Sequence, residues 1–155
     1  MRWTENDVER MVDEGNRALG LEVQLPWSDK LVKGIKTIET RGYALPENIL
    51  NVPILVLQAQ EGTALQTSIP DVIEGDETLL QIVGVVYFTQ NIAYETYEAW
   101  MKDIPLHRVG EDSPYAWTEK NPVFGWKVEN PLVFEKPIPV YRARRWFRSF
   151  FSVNH

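Results

Sequence analysis

The sequence predicts an α+β domain in which two to four short helices pack on a small, partly open β-barrel. Short apolar segments separated by glycine and proline outnumber the segments with helical periodicity, which is typical of such folds. The two strongest strand segments, residues 52–59 and 79–89, are rich in valine, isoleucine and leucine. The chain has 155 residues, of which 44% are hydrophobic. This size and composition fit one domain with its own core.

The N-terminal segment is predicted to form an amphipathic helix. Thr4 and Asp7 have the spacing of a capping box, in which each side chain bonds the backbone amide of the other residue. Apolar residues then recur at helical spacing as far as Leu19, and the glycine that follows is suited to end the helix. We therefore expect residues 1–20 to pack as a helix on a domain formed by residues 21–155.

A strand, a turn and a short helix are expected next. Residues 21–25 alternate between apolar and polar, which is the period of a half-buried strand, and Pro26 interrupts this strand. Ser28 or Asp29 is suited to cap a short helix that ends at Gly34.

The second half of the chain is predicted to alternate between strands, one helix and long loops. Gly84 lies inside the strand expected at 79–89 and predicts a bulge or a bend there. The other expected elements are an acid-rich solvated loop at 61–78, a short helix at 94–101, a proline-rich excursion at 102–122, and short strands at 126–128, 132–134 and 138–140.

Composition excludes several classes of site. The chain contains no cysteine, which excludes disulfides, zinc–thiolate sites and a cysteine nucleophile. His107 and His155 are the only histidines and lie far apart in sequence, so we predict neither a metal site nor a cofactor. No apolar segment approaches the length of about 18 residues that a membrane helix needs, and the charged start does not resemble a signal peptide. We expect a monomer in the cytoplasm or the nucleus.

Charge is distributed unevenly along the chain. The net charge is −6, yet residues 141–155 carry four arginines and no acid. Aromatic residues alternate with these arginines, so one interpretation is a surface that binds nucleic acid, with Arg144 and Arg145 among its contacts. The other is a last helix or strand whose aromatic residues dock on the core while its arginines face the acidic body. The residues leave both interpretations open.

The segment at 34–41, which reads Gly-Ile-Lys-Thr-Ile-Glu-Thr-Arg, carries the strongest functional signal. Its end is predicted to form a strand on which Glu39 and Arg41 share one face. One interpretation is an exposed ion pair on an edge strand, worth about 0–1 kcal/mol. The other is a cleft beside Trp27, in which Lys36, Glu39 and Arg41 supply donors and an acceptor next to an aromatic face, as recognition of an unstacked base requires.

This segment and the Pro-Trp-Ser sequence before it resemble the Gly-x-Lys-x-x-Glu-x-Arg signature of the ASCH domain (activating signal cointegrator homology). The segment at 124–140, with Trp126 in one strand and prolines in the next, is similar to the closing strands of that family. The resemblance covers about residues 21–147 and implies a PUA-like fold with a cleft that takes RNA or a nucleoside.

The resemblance implies that the binding residues are Trp27, Lys36, Glu39 and Arg41, extended by Arg144 and Arg145. It also implies an alternative, a nucleoside amidohydrolase of the N4-acetylcytidine type or a ribonuclease, with Lys36 and Glu39 catalytic. In those amidohydrolases a lysine activates a threonine nucleophile, and here Glu39 stands in place of that threonine, which favours binding over catalysis. A third implied function is a protein-interaction module of a coactivator-type assembly.

Several other residues have a structural and a functional interpretation. We predict that His107 is solvated and that Trp126 belongs to the core. Trp100 and Trp117 either cover the cleft or act as packing plugs. If the motif at 34–41 is a binding site on a stable scaffold, substituting its charged residues should weaken ligand binding and leave the melting temperature nearly unchanged.

Overall fold

The computed structural model describes residues 2–60 and 69–155, which form an α+β fold around an open sheet. Within these residues the helices are α1 (Glu5–Asp13), α2 (Trp27–Val32), α3 (Tyr97–Lys102) and α4 (Ile104–His107), with a 3₁₀ turn at Glu47–Ile49. The strands are β1 (Ala18–Glu22), β2 (Ile38–Arg41), β3 (Pro53–Ala59), β4 (Val72–Glu74), β5 (Leu80–Ala93), β6 (Phe124–Pro139), β7 (Arg142–Phe147) and β8 (Phe150–Val153). None of the helices in these residues has the length and apolar character needed to cross a membrane.

The strands form one sheet in the order β2-β6-β5-β3-β1-β8-β7-β4. All neighbours are antiparallel except β1 and β3, which run parallel. The ladder between β5 and β6 shifts register three times, and such bulges bend a sheet. The Arg41 side chain of β2, at one end of the sheet, reaches the backbone carbonyl of Glu22 in β1, so the curved sheet forms a partly open barrel.

At Gly84 the backbone of β5 lies very close to β6 and to α2. A Cβ atom at this position would lie 2.2 Å from the carbonyl oxygen of Leu132 on β6 and 2.7 Å from Cγ1 of Val32 on α2. The register of β5 against β6 also shifts between Ile82 and Gly84. Gly84 therefore marks a bulge, as the sequence predicts.

Both faces of the central strands are buried. On β3, Ile54 and Val56 pack with α2 on one face, whereas Leu55 and Leu57 pack with α1 on the other. A strand covered on both faces is continuously apolar, which is why the sequence indicates β3 so clearly. A smaller apolar cluster, built on Trp100, lies under α3 and α4 beside the barrel.

The predicted N-terminal helix is too long. α1 ends at Asp13, because Gly15 adopts a left-handed conformation with φ +73° and the amides of residues 15 and 16 bond the carbonyls of Val12 and Met11. Leu19 instead belongs to β1, where its neighbours pair with both β3 and β8. The strand expected at 21–25 correspondingly begins earlier, at Ala18.

Other expectations are corrected at their boundaries. The three short strands expected after residue 125 are one strand of 16 residues, β6. Beyond Val128 this strand pairs only with β5 in the described residues, so its free edge tolerates prolines. The loop expected at 61–78 contains β4, and its residues 61–68 lie outside the described residues. α2 begins without a side-chain cap, since the Ser28 hydroxyl donates to Gln58 Oε1 at 2.7 Å.

Candidate functional site

A cleft of about 540 Å³ opens between β1 and the segment that runs from α2 into β2. Trp27 and the three charged motif residues predicted to bind, Lys36, Glu39 and Arg41, all line it. The opposite walls come from β1, from the segment 109–123 and from the turn between β7 and β8. The sequence motif is thus gathered at one cavity, and residues distant in the chain complete it.

The turn after α2 brings Lys36 into the cleft. Gly34 has φ +75°, its amide bonds the carbonyl of Leu31, and the amide of Ile35 bonds the carbonyl of Lys30. This pair of bonds is a Schellman motif, which ends a helix and reverses the chain direction. The motif glycine is therefore needed for its left-handed conformation, and the chain then enters β2 with Lys36 facing inward.

Lys36 lies at the floor of the cleft. Its side chain is 1% exposed, and its Nζ atom donates to the backbone carbonyl of His107. Nζ also lies 3.6 Å from Oε1 of Glu39 and 5.1 Å from the centre of the Trp27 ring. Burial lowers the pKa of Lys36, and the charge of Glu39 opposes that shift.

Glu39 stands between two cations. Its Oε2 atom accepts two hydrogen bonds from Arg41, at 3.1 Å from Nε and 2.8 Å from Nη2, while Oε1 faces Lys36. The predicted neighbour relationship of Glu39 and Arg41 on one strand face is therefore observed. Because Glu39 is also nearly buried, the interpretation as an exposed surface ion pair is wrong.

Arg41 links the motif to the opposite wall. Its Nη2 atom donates to the backbone carbonyl of Glu22 at 3.0 Å, and its guanidinium lies 5.9 Å from the centre of the Trp126 ring. The Arg41 side chain remains 16% exposed, more than that of Lys36 or Glu39. Arg41 is thus the motif cation most accessible to a ligand.

His107 is buried, which contradicts the prediction that it is solvated. Its Nδ1 atom accepts from the amide of Val109 at 3.1 Å, so the proton lies on Nε2, which donates to the carbonyl of Trp100 at 2.9 Å. Its ring stacks on that of Trp100 with centroids 4.9 Å apart. Burial lowers the pKa of His107 and favours its neutral form. The histidine therefore fixes the loop whose carbonyl holds Lys36.

Accessible groups on the opposite walls of the cleft were missed by the sequence analysis. Glu22, at the end of β1, is half-buried, and burial raises the pKa of its carboxyl group. Tyr115, Lys120 and Asn121 line the cleft from the 109–123 segment, and Tyr115 is 50% exposed. No local pattern marks these residues, because only the folded chain places them opposite the motif.

The two tail arginines predicted to bind lie away from the cleft. Arg144 and Arg145 border a separate hollow with Trp146 and His155. Arg145 is engaged within the protein: its nitrogens donate to Asp71 Oδ1 at 2.6 Å, to the Ile69 carbonyl at 2.7 Å and to the Arg148 carbonyl. The tail forms the β7–β8 hairpin, so it consists of strands and not of a last helix.

Three tryptophans singled out in the sequence are buried in apolar clusters. Trp126 is fully buried in the core, as predicted. Trp100, on the buried side of α3, and Trp117 belong to one apolar cluster, so both act as packing plugs. Within residues 2–60 and 69–155, no group of three acidic or histidine side chains is arranged to hold a metal ion.

Solved structures resemble this chain in architecture. The ASCH protein from Zymomonas mobilis superposes with a TM-score of 0.57 at 13% identity, over 79% of this chain and 73% of its own. This chain has the ASCH fold. A serine-to-alanine variant of the same ASCH protein gives a TM-score of 0.56 at 13% identity, over 78% of this chain and 72% of that one. A tyrosine-to-phenylalanine variant gives a TM-score of 0.54 at 14% identity, over 79% of this chain and 75% of that one.

The ASCH fold is a PUA-like barrel, which confirms the fold class predicted from the sequence. No protein-family model matches the chain, and no curated protein matches it. The likeness therefore concerns the fold, and the segment 34–41, which resembles the ASCH signature, runs from the turn after α2 into β2.

Proposed function

We propose that this chain is a member of the ASCH family whose cleft binds one nucleotide, either free or within an RNA strand. The observation that carries the proposal is the Lys36–Glu39–Arg41 network, which is already assembled against Trp27 in a cleft. Glu39 holds the guanidinium of Arg41 in place by two hydrogen bonds, and Arg41 remains 16% exposed. A donor that is already positioned loses little conformational freedom when a ligand binds. The cleft volume also falls within the range of about 300–1,000 Å³ typical of small-molecule sites.

The charge of the cleft favours an anionic ligand. Its lining includes three cations, Lys36, Arg41 and Lys120, and two acids, Glu22 and Glu39, which leaves a net charge of +1. The whole chain has a net charge of −6. A local positive site on an acidic protein attracts a single phosphate without attracting nucleic acid over the whole surface.

The polar groups suit a base as well as a phosphate. Arg41 and Lys120 are donors, Glu22 is an acceptor, and Asn121 is both. Trp27 and Tyr115 add aromatic surface at the cleft, and base stacking on aromatic side chains is the general means of holding an unpaired base. These features support recognition of a nucleotide rather than of inorganic phosphate alone.

The proposal is tested by ligand-observed NMR with the four ribonucleoside 5′-monophosphates, their nucleosides and inorganic phosphate. We expect saturable binding of at least one nucleotide, with weaker binding of its nucleoside and of phosphate. Arg41→Ala should abolish the signal, whereas Arg10→Ala should retain it, because Arg10 is an exposed cation on α1. Wild-type protein that binds no member of the panel, or folded Arg41→Ala that binds as tightly as wild type, would overturn the proposal.

One observation favours hydrolysis as a second candidate. Burial raises the pKa of Glu22 and lowers the pKa of Lys36 in the same cleft, and opposed shifts of this kind are common where proton transfer occurs. Both oxygens of Glu39 face cations, whereas Glu22 has the raised pKa that suits a general acid. The same NMR samples, with N4-acetylcytidine and short RNAs added, would show acetate or cleaved RNA if turnover occurs. Product that disappears in Glu22→Gln would support this candidate.

The remaining expectations stay predictions. They are the monomeric state, a cytoplasmic or nuclear location and the role of a protein-interaction module in a coactivator-type assembly. Catalysis by Lys36 and Glu39, and ligand contacts from Arg144 and Arg145, also stay predictions.

A further inference from the structure

The β7–β8 hairpin carries a second surface, separate from the cleft. A hollow of about 510 Å³ lies along the hairpin, and Arg144, Trp146 and His155 are among the residues that border it. We define the hairpin surface as the side chains of Arg144, Trp146, Phe147 and Arg148. The cleft lining includes none of these four residues.

The hairpin surface is positively charged. In the described part of the chain, Arg142 and Arg145 pair with acids, whereas Arg144 and Arg148 form no ion pair. The pKa of His155, at the same hollow, lies below its usual value, first because of the charge of Arg17 and then through partial desolvation and the charges of Arg144 and Arg142. These interactions indicate a positive potential around the hollow.

Large aromatic side chains of the hairpin surface face the solvent. Trp146 is 47% exposed and Phe147 is 39% exposed. Their ring centroids lie 6.0 Å apart, and the centroid of Phe147 lies 5.6 Å from that of Tyr43. The Arg148 guanidinium lies 5.0 Å from the centre of the Tyr43 ring and 5.8 Å from that of Phe147. The three rings and Arg148 therefore form one continuous path, and Arg144 borders the same hollow as Trp146.

This path leads to the cleft. Tyr43 directly follows Gly42, which lines the cleft, and Ser149 in the hairpin turn lines it as well. The backbone of the turn is tied to the cleft wall, because the carbonyl of Ser149 accepts a hydrogen bond from the amide of Glu22 at 2.9 Å. A ligand that leaves the cleft at this side meets the hairpin surface next.

We propose that the hairpin surface binds a single-stranded polynucleotide whose neighbouring nucleotide occupies the cleft. This inference rests on the proposed function, and it assigns Arg144 and Arg148 to backbone phosphates and Trp146 to a stacked base. The inference assigns no phosphate to Arg145, because its nitrogens donate to Asp71 and to the backbone carbonyls of Ile69 and Arg148. Alternating arginines and exposed aromatic rings are the combination that single-stranded nucleic acids bind.

An acidic peptide is the competing occupant for a positive surface. It would satisfy Arg144 and Arg148, but it would gain little from Trp146 and Phe147, which an acidic chain without aromatic residues cannot stack on. The exposed aromatic rings therefore favour bases over carboxylates, and the dependence of binding on Trp146 separates the two ligands.

The test compares short and long ligands on the intact protein. Fluorescence anisotropy is measured with labelled short oligoribonucleotides, the same sequences as DNA, and a polyglutamate peptide, while NMR follows the mononucleotide. We expect Trp146→Ala to weaken oligonucleotide binding by about 5- to 150-fold and to leave mononucleotide affinity unchanged. Arg144→Gln should reduce the slope of log affinity against log salt by about one. The RNA and DNA arms show whether the 2′-hydroxyl contributes.

Matched controls and opposing outcomes keep the two proposals apart. Tyr141→Ala removes another exposed ring, and Arg10→Gln removes another exposed cation; neither should change oligonucleotide affinity. Oligonucleotides bound no more tightly than the mononucleotide, or bound equally by Trp146→Ala, would overturn the hairpin proposal and leave the cleft proposal intact. Polyglutamate bound as tightly as RNA would also overturn it. Oligonucleotide binding that depends on Trp146 and persists in Arg41→Ala would support the hairpin surface as a binding site and count against the cleft.

Discussion

Arg41 joins two strands that share no hydrogen-bond ladder, since its Nη2 atom donates to the backbone carbonyl of Glu22 at 3.0 Å. β2 and β1 are separated by three strands in the sheet order, so this bond crosses the gap between facing strands. The same guanidinium makes two hydrogen bonds to Glu39. The group that we propose to bind a ligand is therefore also part of what closes the barrel.

The first prediction concerns Glu39, and it revises the expectation from the sequence that the motif can be changed without loss of stability. Glu39→Gln keeps the size of the side chain but leaves the buried charges of Lys36 and Arg41 without their partner. We expect the free energy of unfolding to fall by about 3 kcal/mol, as for other broken buried pairs. Urea denaturation followed by circular dichroism measures this.

The control for Glu39→Gln is the loss of one partner of an exposed ion pair. Oδ1 of Asp29 in α2 lies 2.9 Å from Nζ of Lys33, the residue that follows this helix, and about half of each side chain is exposed. Asp29→Asn should cost less than about 1 kcal/mol. Equal, small losses for both variants would show that the motif network does not support the fold.

The second prediction is a pH dependence of stability caused by His107. Burial lowers the pKa of this histidine below its ordinary value of 6.5 in the folded protein, so the unfolded chain binds a proton first. The stability from neutral His107 is therefore present above about pH 6.5 and is lost as the pH falls toward the folded pKa. We expect His107→Phe, which retains a ring beside Trp100, to be less stable at neutral pH but to lose less stability on acidification.

Urea titrations of both proteins between about pH 8 and pH 5 test the prediction for His107. The readout is the difference between the two pH profiles, because titrations common to both proteins cancel. Parallel profiles would mean that His107 titrates alike in the folded and unfolded chain.

The third prediction concerns Glu22 and ligand charge. Because burial raises the pKa of this carboxyl group, lowering the pH neutralises it earlier than an ordinary glutamate and makes the cleft more positive. A dinucleoside monophosphate, whose phosphodiester keeps its charge, should bind more tightly as the pH falls. Glu22→Gln should bind it about fivefold more tightly at neutral pH and show a flat profile. Calorimetric titration measures the affinity of each protein at several pH values. A Glu22→Gln variant whose affinity changes with pH as much as that of the wild type would contradict the role of Glu22.

The fourth prediction uses two glycines in different surroundings. Gly84→Ala would place a Cβ atom 2.2 Å from the carbonyl oxygen of Leu132, and a backbone atom cannot move aside cheaply. We expect a loss of about 3 kcal/mol or more, or a failure to fold. Gly42→Ala meets no atom within 4 Å and should change stability by less than about 0.5 kcal/mol. Thermal denaturation of the two variants tests this prediction. Similar melting temperatures would show that β5 and β6 can separate at Gly84 at little cost in stability.

The sequence predicts those parts of the site that are local in the chain. The motif glycine, Lys36, Glu39 and Arg41 are close in sequence, and a helix end followed by a strand fixes their directions. The alternation of a strand explains why Glu39 and Arg41 meet. The fold class likewise follows from short strands and helices, whose periods are properties of short segments.

The rest of the site depends on contacts between distant residues. His107 carries no signal of burial in its own segment, because its environment comes from Trp100, Tyr94 and the loop around Val109. Glu22 faces the motif only because the sheet curls. The end of α1 also depends on distant contacts. Both Gly15 and Gly20 are suited to end the helix, and the pairing of β1 with β3 and β8 requires that it end at Gly15.

The position of β1 has a consequence for how the protein is made. β1 lies in the middle of the sheet, with β3 on one side and β8 on the other, and its residue Ala18 pairs with Val153. During synthesis one edge of β1 therefore stays unpaired until β8 has left the ribosome, and an unpaired edge of this kind can add a strand from another chain. Pairing of such distant segments also slows folding. We expect nascent chains that stop before β8 to need chaperone protection that the finished barrel does not.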